Sequence, residues 1–271
     1  MGKIFDALEK SKKEKVIKVE PIPVSRPEPV VHKPAVMPVM ESIKSNKVDS
    51  KLIVIAAPDS YEAESFKLLR AQILFARDRE RPRTIMVTSA MPGDGKTFVA
   101  ANLAASIALG IDDHVLLVDC DLRRSNLHQM FGLSNRSGLN EYLKKEKELS
   151  DLLIRTSVNK LSFLPAGSMP NNPSELLASS DMKAFLEEVR DRYDDRYIIL
   201  DTPPSQVLAE SNVISNFVDG IIFVVRENIT PRDTIQKAVA SFSKDKLLGM
   251  VVNGHTQLQK NQAYYYKNYY Q

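Results

Sequence analysis

Three observations predict a doubly wound α/β fold built on a mostly parallel sheet. From Leu52 onward, short β-branched runs alternate with stretches of helical periodicity. Several of those runs are apolar without alternation, as strands covered by helices on both faces must be. The residues able to carry chemistry fall where the runs end, which is where open α/β sheets bind ligands.

The elements can be justified in chain order. In residues 1–20, Ile4, Phe5, Ala7 and Leu8 fall at helical spacing ahead of a Lys-rich stretch. That pattern suits a short amphipathic helix ordered by a partner or an acidic lipid surface; alone, so short a helix frays in water. Residues 21–51 read as a linker, because six of the fifteen prolines lie between Pro21 and Pro38. Each removes an amide donor and biases its neighbour toward extended backbone. Residues 52–253 form one domain, with strands expected at Thr84–Ser89, His114–Asp119, Leu161–Leu164, Tyr197–Asp201, Gly220–Val225 and Leu247–Asn253. Helices are expected at Tyr61–Phe75, Lys96–Leu109, Asp181–Tyr193 and Pro231–Phe242. Residues 254–271 complete the chain as a flexible, tyrosine-rich tail.

Composition narrows the function. With 271 residues, 43% hydrophobic and 26% charged, the chain can build a sizeable core. The formal charge of +3 is too small to argue for nucleic acid. It is concentrated in residues 1–51, where eleven Lys and Arg face seven Asp and Glu. One cysteine, Cys120, and four scattered histidines offer neither an internal disulfide nor a zinc spacing. No apolar run approaches the roughly 18 residues of a membrane span, and the charged N-terminus lacks a signal peptide's apolar centre. A cytoplasmic location is expected.

The first chemical motif follows the first strand. Thr84–Ser89 runs into Ala90-Met-Pro-Gly-Asp-Gly-Lys-Thr97 and then into a helix beginning at Phe98, the strand, loop and helix context of a phosphate-binding loop. Pro92, Gly93, Asp94, Gly95, Lys96, Thr97 and Phe98 are assigned to the nucleotide. The glycines let backbone amides converge on phosphate oxygens, Lys96 reaches the β- and γ-phosphates, and Thr97 can ligate Mg²⁺. Ala90 stands where the strict pattern has its first glycine, so the loop must avoid positive φ there.

Two further strands end in aspartate. Leu116-Leu-Val-Asp119-Cys-Asp121-Leu-Arg123 and Ile198-Ile-Leu-Asp201-Thr-Pro-Pro204 each carry three apolar residues into a carboxylate. Either alone is a common pattern; with the phosphate loop they converge on one metal–nucleotide site. Asp201 would hold the Mg²⁺ hydration shell, Asp119 would orient or deprotonate an attacking hydroxyl, and Asp121 would assist. Arg123 reads equally well as a solvated arginine. Cys120, between the aspartates, reads as a small buried hydrophobe pointing away from the phosphates.

These three motifs in this order resemble the deviant-Walker P-loop ATPases, a group that holds partitioning ATPases and the bacterial tyrosine kinases. Met91 occupies the position of the signature lysine of the partitioning relatives, and Pro-Gly-Asp-Gly-Lys-Thr is similar to the tyrosine-kinase version. The stretch Leu164-Pro-Ala-Gly through Pro173-Ser-Glu-Leu-Leu177 extends the likeness, which covers roughly Tyr61 to the C-terminus. On the resemblance, Glu64, Lys67 and Arg70 match the E-x-x-R-x-x-R element through which these kinases assemble rings. Lys67 replaces the forked middle arginine there. By periodicity alone they are an ordinary solvated helix face. The resemblance also implies that Asn253 contacts adenine; a turn-forming Asn before Gly254 is the alternative.

Tyr264, Tyr265, Tyr266, Tyr269 and Tyr270 crowd the last eight residues without apolar periodicity. Phenols on a flexible tail can enter another subunit's active site, and each phosphate would add about −1.5 to −2 charges. A tail that stacks on single-stranded nucleic acid is the alternative. The resemblance implies an ATP- and Mg²⁺-dependent tyrosine autokinase acting in trans within a ring-like homo-oligomer and controlling capsular or exopolysaccharide assembly. Its implied partners are a separate membrane co-polymerase, which would hold it at the inner face of the plasma membrane, and a phosphotyrosine phosphatase. No nucleic acid is expected. The rival readings are a partitioning or positioning ATPase that hydrolyses ATP without modifying protein, and a non-catalytic scaffold.

Overall fold

A computed structural model describes residues 48–75, 81–192, 196–206 and 210–255. The expected N-terminal helix, nearly all of the linker and the tyrosines of the tail lie outside the described residues. Val48 and Asp49, at the end of the expected linker, already lie against the domain: Val48 packs on the core and the Asp49 N–H donates to the Met130 carbonyl at 3.1 Å.

The long helices begin and pack for identifiable reasons. A one-turn helix α1 (Ile53–Ala56) precedes α2 (Tyr61–Leu74), whose N-terminus is capped by the Ser60 hydroxyl accepting from the Ala63 N–H. Strand β1 (Thr84–Ser89) is fully buried and leads into α3 (Lys96–Ala108), whose alanine-rich face lets it sit close on the sheet. Within α3, Asn102 is buried and all its polar capacity is used. Its Oδ1 accepts from the Val54 N–H at 3.2 Å, and its Nδ2 donates to the Lys51 and Phe98 carbonyls at 2.9 and 3.0 Å, so it staples α1 onto α3. Edge-to-face packing of Phe66 on Phe98, centroids 5.6 Å apart, joins α2 to the start of α3.

Strand β2 (His114–Asp119) follows, then three short helices, α4 (Leu127–Met130), α5 (Leu139–Leu143) and α6 (Leu149–Leu152). Next come β3 (Ile154–Arg155), β4 (Leu161–Leu164), α7 (Pro173–Leu177) and α8 (Ser180–Arg192). The described chain ends with β5 (Arg196–Asp201), α9 (Glu210–Ile214), β6 (Gly220–Arg226), α10 (Arg232–Ala240) and β7 (Leu247–Asn253). The strands the sequence predicts are present within a residue at either end, and the predicted helices are present, slightly shorter at their ends. The one- and two-turn helices carry too few residues for a visible period, and two-residue β3 lies below any pattern.

The sheet has seven strands in the order β3-β4-β2-β5-β1-β6-β7, parallel throughout except for antiparallel β3. Strand β5 is inserted between β1 and β2, which places the loop after β1 and the ends of β2 and β5 side by side. Register does the rest: Asp119 pairs with Asp201, and Val87 with the same Asp201. Among the described residues no helix is long and apolar enough to cross a membrane.

Candidate active site

The loop between β1 and α3 is held open by its own side chains. Gly93 and Gly95 take positive φ, 89° and 98°, where a Cβ would be strained. At Gly95 a Cβ would also stand 2.0 Å from Asn253 Nδ2, so close approach as well as conformation demands glycine. Ala90 is buried and keeps negative φ, which is how the loop dispenses with a glycine at that place. The Asp94 carboxylate, 1% exposed, turns inward: Oδ2 accepts from the Met91 N–H at 2.9 Å and Oδ1 from the Thr230 hydroxyl at 2.7 Å. Asp94 therefore shapes the loop with its side chain, leaving only its amide to face an anion. Met91 itself is exposed at the loop's outer edge.

The N-terminus of α3 aims its free amides and dipole into this loop, and Lys96 lies in its first turn. The Lys96 ammonium is 2.9 Å from Asp121 Oδ2 and 3.8 Å from Asp201 Oδ1, with the Thr97 hydroxyl at 3.4 Å. Burial works against its charge, but Asp201 and Asp121 outweigh it and hold its pKa above the ordinary value.

The carboxylates are buried at the strand ends. For Asp119, burial comes first and the neighbouring Asp201 second; together they push its pKa up to about 8, against hydrogen bonds from Ser125 and the Asp121 amide. Asp201 is also raised by burial, with Lys96 and the Thr97 hydroxyl pulling it back. Three carboxylates share one ammonium, so the site holds negative charge in excess.

The residues present fit a hard cation such as Mg²⁺. Asp201 Oδ1 is buried with no hydrogen-bond partner, and Thr97 supplies a second oxygen beside it. Among the described residues no trio of His, Cys, Asp and Glu forms a closed metal cage. That suits Mg²⁺, which takes one or two protein oxygens and completes its shell with water and phosphate.

Around this centre the loop after β2 is tightly bonded. The Asp121 N–H donates to Asp119 Oδ1 at 3.1 Å and the Ser125 hydroxyl to Asp119 Oδ2 at 2.9 Å. Cys120 is fully buried, and its thiol is pushed well above the ordinary value by burial and then by the adjacent carboxylates. Such a thiol is inert. Arg123, which reads from sequence as possibly no more than solvated, is bonded to Glu210 and Ser174.

The structure brings Lys96, Thr97, Asp119, Asp121 and Asp201 together, with the 92–98 loop around them. It places Asn253 against the loop: its Nδ2 donates to the Asp94 carbonyl at 2.9 Å. Arg226 donates to the neighbouring Gly93 carbonyl at 3.1 Å, so the ends of β6 and β7 both brace the loop. On α2, Lys67 pairs with Glu64 at 3.0 Å and Arg70 donates to the Ser106 carbonyl at 2.6 Å, within the same chain. Sequence reasoning missed Ser125, Thr230, Arg226, Ser174 and Glu210. Each acts on a partner distant in sequence or through a turn, and none stands in a motif that singles it out.

A groove of about 850 Å³ lies between α2 and β7, lined by Leu68, Leu69, Phe98, Met250, Val252 and Asn253 among others. Leu68, Met250 and Val252 are 58–60% exposed along it. At its end His255 Nδ1 lies 2.5 Å from Glu227 Oε2, at the last described residue before the tail.

Comparison with known proteins adds three findings. The family model for an AAA domain matches residues 82–241. A tyrosine-protein kinase of Bacillus subtilis, YwqD, is 34% identical over 225 residues, which are 82% of this chain and 93% of that one. The CapB protein of Staphylococcus aureus, called a putative tyrosine-protein kinase, is 32% identical over 225 residues, 82% of this chain and 97% of its own. Among solved structures, the kinase domain of the Escherichia coli tyrosine kinase ETK superposes with a TM-score of 0.69 at 31% identity. That match covers 76% of this chain and 80% of the other.

Proposed function

The chain belongs to the bacterial tyrosine-protein kinases, and from that premise we propose an ATP- and Mg²⁺-dependent autokinase. It transfers the γ-phosphoryl of ATP to Tyr264, Tyr265, Tyr266, Tyr269 and Tyr270 of a neighbouring copy. The observation that carries the reading is the placement of the Lys96 ammonium between the ends of two aspartate-bearing strands, 2.9 Å from Asp121 and 3.8 Å from Asp201.

The chemistry assigned to each residue follows from its surroundings. Loop amides of residues 92–98 and the α3 dipole hold the phosphates, and Lys96 offsets the charge that builds as the phosphoryl moves. Thr97 and Asp201 would hold Mg²⁺, which supplies further charge neutralisation on the β- and γ-oxygens. The tyrosine oxygen forms a bond to the γ-phosphorus while the bond from that phosphorus to the bridging oxygen of ADP breaks. Asp119 takes the phenolic proton; with its pKa at about 8, its carboxylate is a stronger base than an exposed aspartate. Asp121 keeps Lys96 aimed. Asn253 braces the loop with one amide N–H and has its second N–H and its carbonyl left for an adenine edge.

Several features support assembly into a ring-like homo-oligomer. The α2 face bearing Glu64, Lys67 and Arg70 borders the apolar groove shared with β7, and such exposed patches mark association sites. Because Arg70 is bonded within its own chain, Glu64 and Lys67 carry the exposed part of that contact. The same setting includes a separate membrane co-polymerase holding the kinase at the inner face of the plasma membrane, an opposing phosphotyrosine phosphatase, and control of capsular or exopolysaccharide synthesis and export.

The test is direct. Purified protein is incubated with Mg²⁺ and ATP, and phosphotyrosine is mapped by mass spectrometry. Phosphate on Tyr264–Tyr270 is expected; ATP hydrolysis with every tyrosine unmodified would favour a partitioning-type ATPase instead.

A further inference from the structure

We infer that Glu210 is a positioning residue for phosphoryl transfer: through Arg123 it fixes the loop that carries Asp119 and Asp121. The inference rests on the roles proposed above for those two aspartates.

Residues 120–126 leave β2 as an irregular loop. Its beginning is anchored by the Cys120 N–H on the Asp201 carbonyl at 2.8 Å. The bonds that follow are internal: Asp121 N–H to Asp119, Ser125 hydroxyl to Asp119, and Arg124 N–H to Asp121 Oδ1 at 3.0 Å. Such bonds set the loop's shape but not its seat on the domain. Arg123 supplies the seat. Its Nε donates to Glu210 Oε1 at 3.1 Å and its Nη2 to Ser174 Oγ at 3.0 Å, while the Ser174 hydroxyl donates to the same Glu210 oxygen at 2.8 Å. One residue from the loop, one from α7 and one from α9 thus close a cycle.

The Glu210 side chain has no exposed surface, and its Oε2 is buried with no hydrogen-bond partner. A half-satisfied buried carboxylate destabilises a fold. A neutral amide would sit there at less cost, and what it would lose is the charge-assisted hold on Arg123. The neighbouring residue sharpens the point, because the Ser211 hydroxyl donates to the Pro203 carbonyl in the loop after Asp201. The first turn of α9 therefore holds both aspartate-bearing strand ends, Ser211 on the Asp201 side and Glu210 on the Asp119 side. Reacting groups tolerate little drift: a misplacement of about 1 Å can slow catalysis by up to roughly 10²-fold.

Steady-state phosphotyrosine formation by the full chain, measured against ATP concentration, tests this. Glu210→Gln keeps the shape and removes the charge. It is expected to lower kcat about tenfold while the KM for ATP stays within about twofold, since Lys96, Thr97 and the loop amides are untouched. Arg123→Ala should lower kcat comparably, and the double variant should be no slower than the slower single variant. Ser174→Ala should give a smaller loss in the same direction, and it carries the test if Glu210→Gln does not fold. The inference is overturned if folded Glu210→Gln keeps wild-type kcat, if the two losses multiply, or if KM rises with kcat unchanged. Wild-type protein that makes no phosphotyrosine would instead sink the proposed function. The same variants would then be compared by ATP hydrolysis.

Discussion

Two ends of one sheet contrast sharply. At its centre, β2 and β5 end in a buried cluster where three carboxylates crowd one lysine, and burial and repulsion push Asp119 up to about 8. At its edge, β7 leaves Met250 and Val252 more than half exposed beside Leu68 of α2. The centre stores electrostatic strain that ligand and chemistry relieve; the edge leaves apolar area that another surface can cover. Function in this molecule is written as unfavourable burial in one place and unfavourable exposure in another.

The largest effect comes from breaking the centre. Lys96→Met leaves the carboxylates without their ammonium and should lower phosphotyrosine formation by roughly 10³-fold or more. Retained activity would show that Lys96 is not central.

Asp119→Asn tests the strain itself. A carboxyl whose folded pKa lies above its unfolded value binds a proton in the native state that the unfolded chain has released. Stability is thus full near and below pH 4 and declines as pH rises toward 8. Nucleotide-free wild type should melt at progressively lower temperature across that window. Asp119→Asn should flatten the dependence and add on the order of 2 kcal/mol at pH 7.5, while phosphotyrosine formation falls about 10²-fold. Matching melting profiles for variant and wild type would show that Asp119 stores no strain.

Asn253→Ala sharpens the border between the regions, since Asn253 ends the edge strand yet bonds the phosphate loop. Loss of that bond should weaken ATP binding about fivefold by calorimetry, the equivalent of about 1 kcal/mol. Smallest in its effect on folding is the edge: Leu68→Asp with Met250→Asp should leave the unfolding free energy within about 0.5 kcal/mol of wild type. Sedimentation should nevertheless show a smaller assembly. An unchanged assembly would free the edge of that role.

The central region was legible in the sequence because its chemistry sits in contiguous motifs. Gly93 to Thr97, Asp119, Asp121 and Asp201 each follow an apolar strand, and the parallel register brings those ends together. What the sequence hid is the bracing. Thr230 on Asp94, Ser125 on Asp119 and Glu210 on Arg123 are single polar residues that act across gaps in sequence or through turns. Their roles arise from which loops the sheet order makes neighbours, a tertiary fact without local periodicity. Asn102 escaped for the same reason, as a polar residue in an apolar helix whose partners lie on α1 and just before it.

The account's central claim is transfer between copies at the Lys96-centred site. Isotope-labelled wild type mixed with unlabelled full-length Lys96→Met, given Mg²⁺ and ATP, lets mass spectrometry assign every phosphate to its chain. The account predicts phosphate on Tyr264–Tyr270 of the unlabelled Lys96→Met copy. Phosphate confined to the labelled wild-type chains, with the inactive copies unmodified, would contradict it.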